Sequence, residues 1–359
     1  FYPMKRSFRK ALLFTLGIKV LFYVFGYLLR PDPINQGLFF NVFMENDSYW
    51  YKHIFDHGYP LKVPGYWEQS SFAFFPLYPI LLKGLAWIFS SFAHSAFALS
   101  LCLSFLWVKG IFKYMDSMGK SASDAFWLVA LLQCIPFHYF FHMFYTELLF
   151  STLLFWLMYS IQKARFMAVF SLCILIAASR PTGLLFAFTL FLTLLIQIHP
   201  SQWFTKPNLK RLLPFIGAPM GIGLYATYCY ARVGRAFVFR ENMSAWQRDY
   251  CWPWESFETS RIELQYLGIY AAILLLIGLY AAYLNKGKNL FIILPNLILP
   301  LCTGTVTSYP RYVSVNHPIF EKLLAKFRFL RNPWFLALLF LGNLATFAYW
   351  VLVHDVLSY

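Results

Sequence analysis

Charge is scarce in this sequence. Lysine, arginine, aspartate and glutamate make up 13% of 359 residues, about half of what soluble domains carry, and only 15 residues are acidic. Nothing soluble could hide the rest, which is 60% hydrophobic and 21% aromatic. Cysteine is also sparse. Cys102, Cys134, Cys173, Cys229, Cys251 and Cys302 form no CxxC pair, and all but Cys251 lie within or at the edge of apolar runs, so neither a disulfide framework nor a cysteine zinc site follows. There is no P-loop, no dinucleotide-binding glycine pattern, no internal repeat and no low-complexity tract. Nucleotide chemistry on a soluble domain therefore has no place in the chain.

What is present is a succession of apolar stretches of about 17 to 22 residues, the length a helix needs to cross roughly 30 Å of hydrocarbon. The expected fold is an all-α polytopic membrane protein, one transmembrane domain over residues 1–359. Its spans are expected near 11–29, 94–115, 124–142, 145–162, 166–179, 181–198, 212–232, 263–284, 289–304, 310–326 and 333–353. The first follows Lys5, Arg6, Arg9 and Lys10 as a signal peptide would, but it is long and lacks a small-residue cleavage site, so it is read as a retained span. The tenth carries Arg311, Asn316, His317 and Pro318 and is expected to be buried among other helices. Between the first two spans, the loop 30–93 is expected to carry interfacial helices, its apolar part from Phe72 to Phe92 lying along the membrane. A second long loop covers 233–262.

The formal charge of +15 would suggest nucleic acid in a soluble protein, but here the basic residues sit in short clusters between apolar segments. With eleven spans and a cytoplasmic N-terminus, 18 of the 30 basic residues face the cytoplasm beside only three acids, Asp116, Asp124 and Glu321. The opposite side takes 11 basic residues and the other twelve acids, and Lys19 lies inside the first span. This is the positive-inside pattern, and it places both long loops outside. The partners expected on these grounds are membrane lipids and not nucleic acid.

The candidate chemistry gathers in those outer segments. Asp47, in Asn46-Asp47-Ser48-Tyr49-Trp50-Tyr51, is a carboxylate among aromatic rings, suited to take a proton from a hydroxyl; a solvated loop acid is the alternative. Glu147 opens the fourth span, where a glutamate also suits the helix dipole. His138 and His142 precede it at a spacing that is weak evidence for a metal without paired carboxylates, and aromatic-belt packing explains them as well. Arg180, in Ser179-Arg180-Pro181-Thr182-Gly183, stands beside a proline-started helix N-terminus, an arrangement that binds phosphate or lets an arginine reach lipid headgroups. Arg311-Tyr312 repeats the situation. Trp246-Gln247-Arg248 and Trp252-Pro253-Trp254 offer aromatic faces and polar groups that bind sugars or anchor a loop at the interface.

Taken in order, Asp47-Ser48 with Trp50-Tyr51, Gly58-Tyr59, Phe74 to Pro79, Tyr145-Thr146-Glu147, Ser179 to Gly183, Gln247 and Arg311-Tyr312 to Phe320 resemble the PIG-V family, the second mannosyltransferase of GPI-anchor assembly, and its prokaryotic relatives. These are GT-C glycosyltransferases. The resemblance covers most of the chain, with Asn46 where the family commonly has tryptophan, and the shorter length is closer to a prokaryotic relative. It implies a GT-C-like bundle and an inverting transfer of a sugar, expected to be mannose, from a polyprenyl- or dolichyl-phosphate donor to a glycolipid or glycan acceptor. Asp47 would be the base, and Arg180 and Arg311 would hold the donor phosphate. Glu147, His138, Gln247, Tyr312 and Trp246 would contact sugar or acceptor. No metal or other cofactor is implied, because arginines can neutralise a leaving lipid monophosphate. The expected location is a prokaryotic plasma membrane with the site outside, or an endoplasmic reticulum membrane with the site in the lumen. A transporter or flippase of a lipid-linked sugar is the alternative function.

Overall fold

The computed structural model describes residues 2–29, 41–44, 46–65, 68–246, 248, 250–258, 265–285 and 290–357, and no strand occurs among them. In chain order the helices are α1 (Tyr2–Leu29), α2 (Asp47–His57), α3 (Leu77–Phe89), α4 (Phe92–Ser117), α5 (Ala122–Cys134), α6 (Glu147–Gln162), α7 (Phe166–Ser179) and α8 (Pro181–Ile196). They continue with α9 (Lys206–Leu212), α10 (Gly217–Val233), α11 (Val238–Glu241), α12 (Gln265–Leu284), α13 (Leu290–Ile298), α14 (Tyr309–Ser314), α15 (His317–Lys326) and α16 (Pro333–Leu357).

Among the described residues, five segments are long and apolar enough to cross a membrane: Met4–Leu29, Phe92–Ser117, Lys206–Val233, Leu267–Leu284 and Pro333–Leu352. They coincide with the first, second, seventh, eighth and eleventh expected spans, and they identify a helical integral membrane protein. The other six expected spans are shorter or broken. At 1.5 Å per residue, the 16-residue helices α6 and α8 reach about 24 Å, short of a 30 Å core. Helix α3, with 13 residues, is shorter still and exposes Ile80, Trp87 and Ile88, as a helix lying along a membrane would; α5 has the same length, so length alone does not separate the two.

Chain contacts divide the protein into two compact units. The first comprises 1–56, 78–159 and 323–359. In it α1 packs against α4, α5 and α16, and α5 against α16. The expected third span breaks here, because Pro136 cannot continue a helix and holds Ile135 in the extended region. From Pro136 to Thr146 the chain is irregular apart from a short 3₁₀ turn, His138–Phe141, yet almost wholly buried. Backbone of that kind survives at membrane depth only when the protein satisfies its polar groups. Asn343 of α16 does part of this, accepting from Tyr139 N at 3.1 Å and donating to Gln133 O at 3.2 Å.

The second unit comprises 57–77 and 160–322. Helix α10 lies against α7 through Gly217 and Gly221, where an added Cβ would stand 2.4 Å from Phe170 O and 2.4 Å from Ile174 O respectively. This small-residue spacing lets two backbones approach closely in a membrane. The expected tenth span is buried, as anticipated, but it is not one helix. Helix α14 stops at Ser314 and α15 restarts at His317 with Pro318 next, while Asn316, fully buried, donates to Ile293 O at 3.2 Å.

Gly58-Tyr59 and Phe74 to Pro76 also have structural duties in this unit. The Tyr59 ring stacks on Phe72 and its hydroxyl donates to Phe74 O at 2.6 Å, while Tyr225 of α10 donates to Phe72 O at 2.8 Å. Asn242 bridges Ser70 N and Glu68 O. Although Asn242-Met243-Ser244 reads as a glycosylation sequon, that buried amide is an internal strut.

Candidate functional site

The first unit holds the carboxylates. Asp47 is the first residue of α2 and half-buried, after Asn46 in a left-handed conformation at φ 52°. The neighbouring Ser48 is buried and its Oγ lies 2.9 Å from Phe43 O and 3.1 Å from Phe144 O, sharing one proton between them. Phe144 N in turn donates to Phe43 O at 3.3 Å. The start of α2 is thereby fastened three residues upstream of Glu147, so Asp47 and Glu147, a hundred positions apart, begin helices that are tied together. Both helix N-termini carry partial positive charge, which favours a carboxylate in the first turn.

Glu147 is fully buried, and so is His138, whose ring stacks on Phe141 with centroids 3.7 Å apart. Behind them the first span contributes Lys19, 1% exposed, with its ammonium 2.6 Å from Ser100 Oγ and 3.5 Å from Phe141 O. His142 stacks on Phe22 at 4.5 Å, and its ring nitrogens have no hydrogen-bond partner among the described residues. Tyr51 and Tyr78 meet edge to face at 5.0 Å on the aromatic side of the same unit. A carboxylate among rings and buried polar groups can accept a proton or orient a hydroxyl, and the surroundings exclude most water.

The second unit holds the cations. Arg180 is the hinge between α7 and α8, extended at φ −160° and only 7% exposed, with Pro181 as the first residue of α8. Its position is enforced by the tight crossing behind it, where a Cβ on Gly183 would sit 2.0 Å from Ile176 O. The Arg180 guanidinium lies over the Tyr312 ring at 5.3 Å, and that of Arg248 over the same ring at 5.9 Å. Arg248 also donates to Tyr312 Oη at 3.0 Å and to Ser308 Oγ at 2.7 Å. Arg311 adjoins Tyr312 in α14, half-buried.

Two guanidiniums sharing one ring face the mutual repulsion of like charges in a partly desolvated place. The quadrupole of the ring offsets part of it, and the two hydroxyls that Arg248 reaches are neutral. Bidentate guanidinium binding suits phosphate. Tyr309, fully buried, has a hydroxyl without a hydrogen-bond partner among the described residues, a further donor one residue from Ser308.

The structure draws Arg180 and Tyr312 together and adds Arg248, which the sequence offered only as the neighbour of Trp246 and Gln247. Nothing in the local pattern singles it out, because its partners lie 60 and 64 positions away. Trp246 packs edge to face on Phe74 at 5.5 Å. Trp252 and Trp254 form an exposed parallel stack with centroids 5.2 Å apart. Gln247 lies outside the described residues. No group of three or more His, Cys, Asp or Glu side chains that could hold a metal ion occurs among the described residues.

No known protein-family model and no curated protein matches the chain.

Proposed function

We propose that this protein is an inverting glycosyltransferase of the GT-C kind, with eleven spans, that transfers a sugar, mannose in the first instance, from a polyprenyl- or dolichyl-phosphate to an acceptor hydroxyl. The reaction takes place on the non-cytoplasmic side, at a prokaryotic plasma membrane or in the endoplasmic reticulum lumen. The observation that carries this reading is the meeting of Arg180 and Arg248 on Tyr312, with Arg311 adjacent. A cationic cluster of that composition in a membrane protein fits a lipid phosphate.

In the transfer, the acceptor oxygen attacks the anomeric carbon and its proton passes to the Asp47 carboxylate. The bond from that carbon to the phosphate oxygen breaks, and the electron pair leaves with the lipid phosphate. Arg180, Arg248 and Arg311 stabilise the charge that develops there, the kind of electrostatic contribution that lowers a barrier most. Glu147 and His138 orient the hydroxyls of sugar or acceptor, and Trp246, Gln247 and Tyr312 contact them. The acceptor is a glycolipid or glycan.

The test is to incubate the purified protein with radiolabelled polyprenyl-phosphate sugars and a panel of glycan and glycolipid acceptors, and to identify the product by mass spectrometry. A new glycosidic bond formed at the expense of the lipid-phosphate sugar is the expected result. Movement of the lipid-linked sugar across a vesicle bilayer, with no bond broken, would make the protein a flippase instead.

A further inference from the structure

The second unit contains an open apolar cavity of about 870 Å³ that the glycosyl-transfer reading does not use. Its walls come from α8, from Pro181 to Leu195, and from the segment around α9 and the start of α10, including Trp203, Leu209, Leu212, Phe215 and Pro219. Fifteen residues of α8 run about 22 Å at 1.5 Å per residue, more than the depth of one leaflet, roughly half of a 30 Å core. The lining is almost entirely hydrocarbon and aromatic, so nothing in it would orient a polar ligand. A long, open slot of that chemistry accommodates an alkyl chain.

The two ends of the slot differ. At the Pro181 end the neighbouring cation, Arg180, is buried and already lies over Tyr312. At the other end α9 presents Lys206 and Lys210, both exposed, four residues apart and therefore on one side of the helix, next to the stripe formed by Leu209 and Leu212 that lines the slot. Between Glu147 and Glu241 the sequence contains no acidic residue, so α9 has no acid near it in sequence to neutralise those lysines. Phe204, 82% exposed, extends the apolar edge beside them.

We propose that this slot is a binding site for one anionic glycerophospholipid, its acyl chain lying along α8 and its phosphate headgroup held by Lys206 and Lys210. The inference goes beyond the glycosyl-transfer reading and does not depend on it. Two lysines at an anionic headgroup predict a preference over a zwitterionic lipid on the order of tenfold at low salt, reduced as salt screens the charges.

The experiment uses the full chain in mild detergent, delipidated and then exposed to equal amounts of palmitoyl-oleoyl phosphatidylglycerol and phosphatidylcholine, with the retained lipid counted by native mass spectrometry. One phosphatidylglycerol should be retained about tenfold more than phosphatidylcholine. The exposed-site variant Lys206→Gln/Lys210→Gln, whose circular dichroism should match the parent, should bring the two lipids close to parity. Phosphatidylglycerol brominated in its acyl chain should quench tryptophan fluorescence, and Trp203→Phe should remove most of that quenching, which locates the chain in the slot. Equal retention of the two lipids by the parent, or a preference untouched by the lysine variant, overturns the proposal. So does quenching that survives Trp203→Phe, or a preference lost in Arg180→Ala and kept in the lysine variant, since that would put the headgroup at the opposite end.

Discussion

Asp47 and Ser48 show how adjacent residues divide labour. Ser48 holds the turn by bonding to two carbonyls, which leaves the half-buried Asp47 carboxylate at the start of α2. Asp47→Asn keeps size and most hydrogen bonding but cannot take a proton, so turnover should fall by about 10²–10⁴ with donor affinity nearly constant. Asp56→Asn, on the same helix and ion-paired with Lys52, is the control and should lose far less. Parental turnover in a folded, donor-binding Asp47→Asn protein would move the base to Glu147. On the cationic side, Arg180→Ala, Arg248→Ala and Arg311→Ala should each weaken donor binding by about 1.5–3 kcal/mol, the range for a hydrogen bond to a charged group. Lysine should restore only part, lacking the planar fork. Because Arg248 and Tyr312 touch, a double-mutant cycle of Arg248→Ala with Tyr312→Leu on donor affinity should depart from additivity by 0.5 kcal/mol or more; strict additivity would dissociate the ring from the phosphate site.

Among the elements, the pair α7 and α10 is the most demanding contact in the second unit. Gly217 and Gly221 leave no room for a side chain over the α7 carbonyls, so Gly221→Val must push the helices apart. Overpacking of this kind costs about 1–3 kcal/mol, to be read as a lower midpoint in thermal unfolding in detergent, whereas Gly223→Val, where an added Cβ meets open space, should leave the midpoint nearly unchanged. The existence of these helices was legible from apolar length; their closeness was not, because it depends on which faces meet. The breaks near Pro136 and Pro318 were not legible in advance: both prolines lie inside expected spans, 124–142 and 310–326, where apolar length outweighed them. That the chain after Pro136 stays buried and irregular instead of resuming a span follows from Asn343, some two hundred positions away, which satisfies its backbone.

For the whole molecule, the charge asymmetry predicts an orientation. In a background without its six native cysteines, cysteines introduced at Ser121 and Lys163, both exposed, should be protected from an impermeant thiol reagent added outside, and one at Tyr250, 83% exposed, should react. Outside labelling of Ser121 would mean that α3 crosses the membrane, with the loops after it changing sides.

The sequence by itself determined that the solvent of this protein is lipid and its secondary structure helical, because hydrocarbon leaves backbone groups no partners but their own. It also determined where cations and carboxylates lie along the chain, and hence which of them could do chemistry. Only the tertiary structure decided which of these groups meet. Arg248 joins Arg180 on Tyr312, and the start of α2 is tied to the segment before Glu147, through contacts between residues 64 to 132 positions apart. Such contacts depend on how helices pack, and hydropathy, which reports only that a face is apolar, carries no record of the face it will be pressed against.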